Sequence, residues 1–326
     1  MAEDFIKKLK ESRLTGRSGS DFPTHLKWQM VKDAKTDKKY VICNASEGEP
    51  GIVKDRYILE HFPEAVISGI KIALETVGAQ TAYIYLNPNY YNQLKPNLQK
   101  LIWNLPINLF KKPAGYLKGE ETTLLNVIED KEPTPRIKPP FPTEKGLWQR
   151  PTLINNVETL YWASRIAGGV YQNNRFYVMG GEAKHQGVFK LNENLTLKQV
   201  LEKTGNTPEF DFFLQVGGLA SGKIVLSDEL DQPINGLAAI FIFNKKQTDP
   251  IKLMKKWAAF FLKANCDKCA PCREGVYRIY EMLKKQELDK NTLAEIFEVM
   301  EKTSLCPLGR IAVTPFKTAI DKLLDA

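Results

Sequence analysis

Apolar and polar positions follow a helical period in some stretches of this chain and a strand-like one in others. Phe5, Ile6, Leu9 and Leu14 recur at helical spacing within EDFIKKLKESRL, which predicts an amphipathic helix over 3–14. A glycine-containing loop follows, TGRSGSDFPTH. KKYVICN (38–44) is a compact apolar run that reads as a strand ending in the polar turn ASEGEPG. PEAVISGIKIALETVG (63–78) returns to the helical period and stops at glycine. TAYIYL (81–86) is a second strand, and this strand–helix–strand succession indicates an α/β layer with parallel pairing. Residues 87–112, rich in Asn and Pro, are expected to be irregular, and GEETTLLNVIED (119–130) to open a helix with acids in its first turn. The prolines of EPTPRIKPPFP (132–142) demand an extended or turning path. PTLINNVETLYWASRIAGG (151–169) is then expected to be helical, with Pro151 near its start.

Further along, FYVMGG and GVFKL predict a hairpin, LTLKQVLEKTG a helix, and FFLQVGG and AAIFIF short strands. One helix on a small mixed sheet is the β-grasp (ubiquitin-like) pattern. From about residue 248 the spacing is purely helical through DPIKLMKKWAAFFLKAN, REGVYRIYEMLKK, NTLAEIFEVMEKT and PFKTAIDKLLDA, a small bundle. The expected layout is an α/β domain over 1–172, a β-grasp domain over 173–247 and a helical bundle over 248–326.

The 326 residues, 43% hydrophobic and 26% charged, have the composition of a globular protein with ample core. No apolar stretch approaches the roughly 20 residues that span a bilayer, and MAEDFIKKLKESRL has no signal-peptide core, so a cytoplasmic protein without membrane insertion is expected. The net charge of +8 raises the question of nucleic acid, but the lysines are scattered rather than gathered in a patch interleaved with aromatics. A basic surface suited to an acidic partner is the reading this leaves.

In NCDKCAPCREG, Cys266, Cys269 and Cys272 stand at two-residue spacings, so three sulfurs on one loop can reach three corners of an iron–sulfur cube. Cys306, in LCPLGR, supplies a fourth thiolate at the start of a later helix, where free N–H groups favour anionic sulfur. Lys268 and Arg273 add positive charge that should raise the potential of a [4Fe–4S] cluster. Structural zinc usually takes two separate Cys pairs; a zinc-stabilised binding module is the alternative reading of these ligands. Cys43, inside YVICN, reads as a small buried hydrophobe.

Three other loops carry candidate chemistry. GRSGSDFPTHLKW (16–28) can present backbone N–H groups and Lys27 to a phosphate, or be an ordinary turn. NASEGEPG (44–51) follows a strand directly, where α/β folds bind ligands. In GEET (119–122) the two acids serve equally well as a helix cap.

Taken in order, GRSGSDFPTHLKW, YVICNASEGEPG, AGYLKGEETTLL, RIKPPFP, GLWQRPTLINNVET and CDKCAPCREG…CPLG resemble the flavin- and NADH-binding subunit of respiratory complex I. The related diaphorase subunits of NAD-linked hydrogenases and formate dehydrogenases share the pattern, and the resemblance runs over essentially the whole chain. It implies an NADH dehydrogenase subunit in which NADH gives a hydride to FMN and electrons pass singly to one [4Fe–4S] cluster. By resemblance, Arg17, Gly19 and Lys27 would surround the FMN phosphate and ribityl chain, and Asn44, Tyr116, Gly119, Asn155 and Asn156 would also contact the flavin. Glu47 and Glu120 fall among the cofactor-binding positions of the same two acidic loops. Glu49 and Glu121 would act at the NADH riboses and nicotinamide; Phe22, Phe141 and Lys138 would hold the adenine end. Cys266, Cys269, Cys272 and Cys306 would ligate the cluster. Implied partners are a thioredoxin-like [2Fe–2S] subunit and a larger iron–sulfur subunit, in a cytoplasmic assembly that can be peripheral to a membrane complex.

Departures from the family concentrate at the flavin. Its G-R-G-G-A-G-F-P is G-R-S-G-S-D-F-P here, placing Ser18 and Asp21 where glycine lets backbone approach a phosphate, and His25 replaces a further glycine downstream. Ser46 stands where the family has aspartate, and Lys118 where it has cysteine. The segment between Tyr85 and Gly115 is shortened, and an N-terminal extension is expected to be missing. With the cluster ligands complete, a flavin-free homologue acting as a structural or electron-relay subunit is the alternative these changes leave open.

Overall fold

The computed structural model describes residues 2–324, whose contacts divide them into two compact units. The first runs to Gly48 and takes in Val53–Phe176 and Lys190–Glu193; the second holds Glu49–Ile52, Tyr177–Phe189 and the chain from Asn194 on.

In the first unit, α1 (Ala2–Glu11) buries Phe5, Ile6 and Leu9. It ends before Leu14, which is buried in the following loop. Then come α2 (Thr24–Asp33), β1 (Tyr40–Ala45), α3 (Lys54–His61), α4 (Pro63–Val77) and β2 (Thr81–Leu86). Residues 87–112, expected to be irregular, form α5 (Pro88–Leu101) and β3 (Ile107–Lys111). The Asn and Pro content there belongs to a helix start: Asn87 accepts from Asn89 N at 2.9 Å, and Pro88 occupies the first turn, where its missing N–H is harmless. After α6 (Glu121–Ile128) and α7 (Pro142–Lys145), the segment expected to be one helix divides into β4 (Thr152–Asn156) and α8 (Val157–Ala167). Every residue of β4 is buried, so an apolar run too short to show its period was absorbed into the neighbouring helix.

These strands make one parallel sheet in the order β3-β2-β1-β4. The chain steps outward from β1 to β3, then returns to set β4 on the far side of β1, so the strand order reverses between β1 and β4. Ligands in open parallel sheets bind in the crevice at the carboxyl ends of two such strands. On one face α4 and α8 pack so closely that a Cβ on Gly69 would run into the Leu160 carbonyl.

The second unit contains most of β5 (Asn174–Gly181), the first half of β6 (Gly187–Asn192), and all of α9 (Leu197–Thr204), β7 (Phe212–Val216), β8 (Lys223–Leu226) and β9 (Ala239–Asn244). The sheet order is β6-β5-β9-β7-β8, with β9 parallel to β5 and antiparallel to β7. A reciprocal cap between Thr196 and Gln199 starts α9, and Gly205, at φ 66°, ends it. Helices α10 (Pro250–Ala264), α11 (Ala270–Lys285), α12 (Lys290–Thr303), α13 (Pro307–Ile311) and α14 (Thr314–Ala319) follow, around Trp257, Phe261, Ile279, Met300 and Phe316. Among the described residues no helix is long and apolar enough to cross a membrane.

Candidate functional site

The carboxyl ends of β1 and β4 lie in register, Asn44 beside Asn156, at the point where the strand order reverses. Asn44 Nδ2 donates to the Gly119 carbonyl at 3.0 Å, and its Oδ1 accepts from Ser46 N at 3.2 Å, tying the acidic loop after β1 to the turn before α6. Gly119 cannot be larger, since a Cβ there would meet the Ser46 hydroxyl. Asn155 Oδ1 accepts from Trp28 Nε1 at 2.9 Å, and Asn156 caps α8 by accepting from Thr159 N at 3.0 Å. Asn44, Asn155, Asn156, Gly119 and Ser46 therefore gather at the sheet edge where a ligand is expected.

The acids around this edge differ in what they do. Glu120 Oε2 caps α6, accepting from Thr122 N at 2.9 Å and Thr123 N at 2.8 Å. Glu121 accepts from Lys138 at 2.8 Å and Lys27 at 3.3 Å. Burial alone would raise its pKa, but the two ammonium groups outweigh burial and hold it below the usual carboxylate range. Glu47 accepts from Asp55 N at 2.6 Å and Arg56 N at 3.0 Å; burial and the Asp55 charge nevertheless push it up to about 7. Glu49 belongs to the second unit, where it accepts from Ala220 N at 2.9 Å and Ser221 N at 3.0 Å in the β7–β8 turn. Phe22 and Phe141 expose their rings.

In the loop before α2, a Cβ on Gly19 would meet nothing within 4 Å, whereas Arg17 is buried and bound to Glu193 and to Tyr171 Oη. Its Nε has no hydrogen-bond partner. Asp21 adopts a left-handed conformation, φ 45°, so the backbone keeps the shape that glycine accommodates best.

Sequence reading missed Glu193 as the partner of Arg17. It also missed the buried group in which Lys54 Nζ reaches Asp55 at 2.6 Å and Glu158 at 3.4 Å. Lys112, buried beside Gly48 and Tyr116, was missed as well, since a lysine pair in sequence looks like solvated surface.

Cys269 stands immediately before α11, Cys272 lies in its first turn, and Cys306 precedes α13. Burial, then the charges of Cys269, Cys306 and Cys266, push the Cys272 thiol up to about 12, so all four cysteines lie within electrostatic reach of one another's group. Such mutual repulsion would be relieved by iron bound to the thiolates. Gly309 permits the approach of the two ligand segments: a Cβ there would lie 2.5 Å from Ser304 Oγ and 3.0 Å from Cys272 Cβ. Among the described residues no three His, Cys, Asp or Glu groups converge on a single metal ion. Thiolates at separate corners of a cube need no such convergence.

Comparison with known proteins agrees with both centres. Residues 9–165 match the Nuo51 FMN-binding domain, and residues 252–325 match the NADH-ubiquinone oxidoreductase-F iron-sulfur binding region. The F-type NADH-quinone oxidoreductase subunit of Aquifex aeolicus is 32% identical over 98% of this chain and 84% of its own length. This chain belongs to the F-type family of NADH-quinone oxidoreductase subunits. As a family member it is an oxidoreductase subunit whose electron donor is NADH and whose cofactors are FMN and a [4Fe–4S] cluster. The second F-type NADH-quinone oxidoreductase subunit of Rhizobium meliloti is 29% identical over 98% of the chain and 86% of its own length. The alpha subunit of the NAD-reducing hydrogenase HoxS of Cupriavidus necator is 30% identical, and the chain spans 59% of it. A crystal structure of an NAD+-reducing [NiFe]-hydrogenase in the H2-reduced state superposes with a TM-score of 0.91 at 27% identity, covering 98% of this chain and 61% of that one. The quinone-oxidoreductase relatives and their hydrogenase counterparts are themselves subunits of larger assemblies. The residues present fit both groups: a lysine without a carboxylate stands beside Gly48 and Tyr116 at the carboxyl end of the parallel sheet, where FMN would bind, and four cysteines close enough to feel one another's charge would hold the iron.

Proposed function

We propose that this chain is the NADH entry point of a multi-subunit electron-transfer assembly. FMN would be held where β1 and β4 end, by Asn44, Asn155, Asn156, Tyr116 and Gly119, with Gly19 and Lys27 toward its phosphate. The in-register pair Asn44 and Asn156 at the strand reversal carries this reading. Phe22 and Phe141 offer exposed faces on which an adenine can stack, and Lys138, bound to Glu121, is assigned to the same end of the nucleotide. Glu121, kept ionised by Lys27 and Lys138, is an acceptor suited to ribose hydroxyls; a role for Glu49 toward NADH rests on the family resemblance alone. FMN supplies the conversion of a two-electron hydride into single electrons, so no side chain has to act as the acid or base of that step. The chain's own task is to orient the two ring systems, exclude water and lead electrons to Cys266, Cys269, Cys272 and Cys306.

The five-stranded sheet with α9 is read as a β-grasp domain, supported by its strand order and by its parallel central pair. The domain limits 1–172, 173–247 and 248–326 follow from that reading. A thioredoxin-like [2Fe–2S] subunit and a larger iron–sulfur subunit are the proposed partners, in a cytoplasmic assembly that can lie against a membrane complex. The flavin-free reading has one observation in its favour: Arg17 is already neutralised by Glu193, and so is drawn away from a phosphate.

Anaerobically purified protein decides between the two readings by acid-released flavin and iron counted in one sample. Near-stoichiometric FMN, about four irons per chain and bleaching of the flavin band by NADH are expected. Iron without flavin, even after incubation with excess FMN, would establish the electron-relay reading instead.

A further inference from the structure

Lys112 directly follows β3 and is 4% exposed, and its backbone is pinned by donation from its amide to the Leu86 carbonyl at 2.9 Å. Its Nζ lies 3.7 Å from the point where a Cβ on Gly48 would stand, and the Tyr116 ring lies 3.1 Å from that same point. Other buried ammonium groups are matched: Lys54 by Asp55 and Glu158, Lys39 by the Lys32 carbonyl. Lys112 has no carboxylate against it among the described residues; burial and the neighbouring Lys118 charge lower its pKa to about 8. It is still protonated at neutral pH, and an ammonium on a largely buried side chain with no carboxylate against it is costly. Such a charge is kept when something outside the chain completes it.

The surroundings say what that is. Gly48 and Tyr116 flank Lys112, and Ser46, Asn44 and Gly119 continue the same floor through the Asn44 to Gly119 hydrogen bond. The charge differences from the family run in one direction there, with Ser46 in place of an aspartate and Lys118 in place of a cysteine. We propose that Lys112 is a cofactor-tuning residue, whose ammonium meets the negative charge that bound FMN gains on reduction and so favours reduced over oxidised flavin. The inference rests on the reading that FMN binds at this sheet edge. The hydride comes from NADH, which leaves as NAD+. The pair of electrons it delivers leaves negative charge on the flavin ring, and Lys112 Nζ offsets that charge.

The test is the two-electron midpoint potential of bound flavin, by spectroelectrochemistry, in the wild type, Lys112→Met and Lys112→Arg, each loaded with FMN and with riboflavin. Lys112→Met should lose about tenfold in the preference for reduced flavin, which is about 30 mV to the negative side for a two-electron couple. Riboflavin should show the same shift, and Lys112→Arg should keep most of the wild-type potential. Flavin-free Lys112→Met should melt no lower than the wild type, since it removes a charge that no carboxylate offsets. An unchanged potential would overturn the proposal. So would equal weakening of oxidised and reduced FMN with no effect on riboflavin, which would assign Lys112 to the phosphate. If the wild type binds neither flavin, the reading of the site fails and this proposal with it.

Discussion

Glu47 accepts two backbone N–H groups at the head of α3, which by themselves would lower its pKa, yet it is raised to about 7. Burial is the largest cause and the Asp55 charge the next, while Lys54 only partly compensates. In the unfolded chain this carboxyl titrates near its ordinary value of 4.5. Between about pH 4.5 and 7 the folded state therefore holds more protons than the unfolded state. Stability from this group is complete below the lower value and is lost as pH rises through the upper one. The full loss is on the order of 3 kcal/mol. Urea titrations at pH 5 and pH 8 should show wild type losing more stability than Glu47→Gln over that interval. Parallel losses in the two proteins would show that the proton is held elsewhere in the group around Lys54 and Glu158. Arg17 shows the same sensitivity to neighbours. Its arginine is visible in the sequence, but the Glu193 that neutralises it comes from a distant hairpin, and no local pattern announces that pairing.

At the scale of elements, Gly309 lets the first turn of α13 lie against the start of α11. Gly309→Ala leaves all four cysteines in place but drives a methyl group toward Ser304 Oγ and Cys272 Cβ. A cost of about 1–3 kcal/mol is expected for such overpacking, together with a lowered iron content after anaerobic purification. Gly275→Ala, whose methyl would meet the flexible end of Met300, serves as the control, since it strains the α11–α12 packing without touching the thiols. Full iron in Gly309→Ala would remove Gly309 from any part in holding the cluster loops together. The elements around this site were legible to different degrees for physical reasons. Amphipathic α1, α4, α10, α11 and α12 announce themselves because half of each faces a core. By contrast α5 hides its buried stripe of Tyr90, Leu94 and Leu98 among asparagines and prolines, and β4 is too short and too uniformly buried to display a period. The proposed cluster ligands stand out in the sequence because two-residue spacing is a local signature. Gly309, Lys112 and the Asn44–Asn156 register act only through the folded backbone.

For the molecule as a whole, the residues proposed for each redox centre fall in one compact unit: Asn44, Asn155, Asn156 and Gly119 in the first, the four cysteines in the second. Loss of either centre should therefore leave the other chemically loaded. Cys306→Ala should lose its iron and brown colour, yet bind FMN and be bleached by NADH as the wild type is. Gly19→Asp is the complement. Its side chain enters open space and needs no left-handed backbone, so the fold is kept, while a carboxylate is brought to the phosphate loop. Repulsion from a phosphate at about 4 Å is worth roughly 1–4 kcal/mol, depending on solvent screening, so FMN affinity should fall about fivefold or more while the iron content stays unchanged. Iron and flavin assays on the two variants, with circular dichroism to confirm folding, test the separation. Folded Cys306→Ala that had lost its flavin as well would mean that the cluster organises the flavin edge, and that residues of the first unit do not suffice to hold FMN.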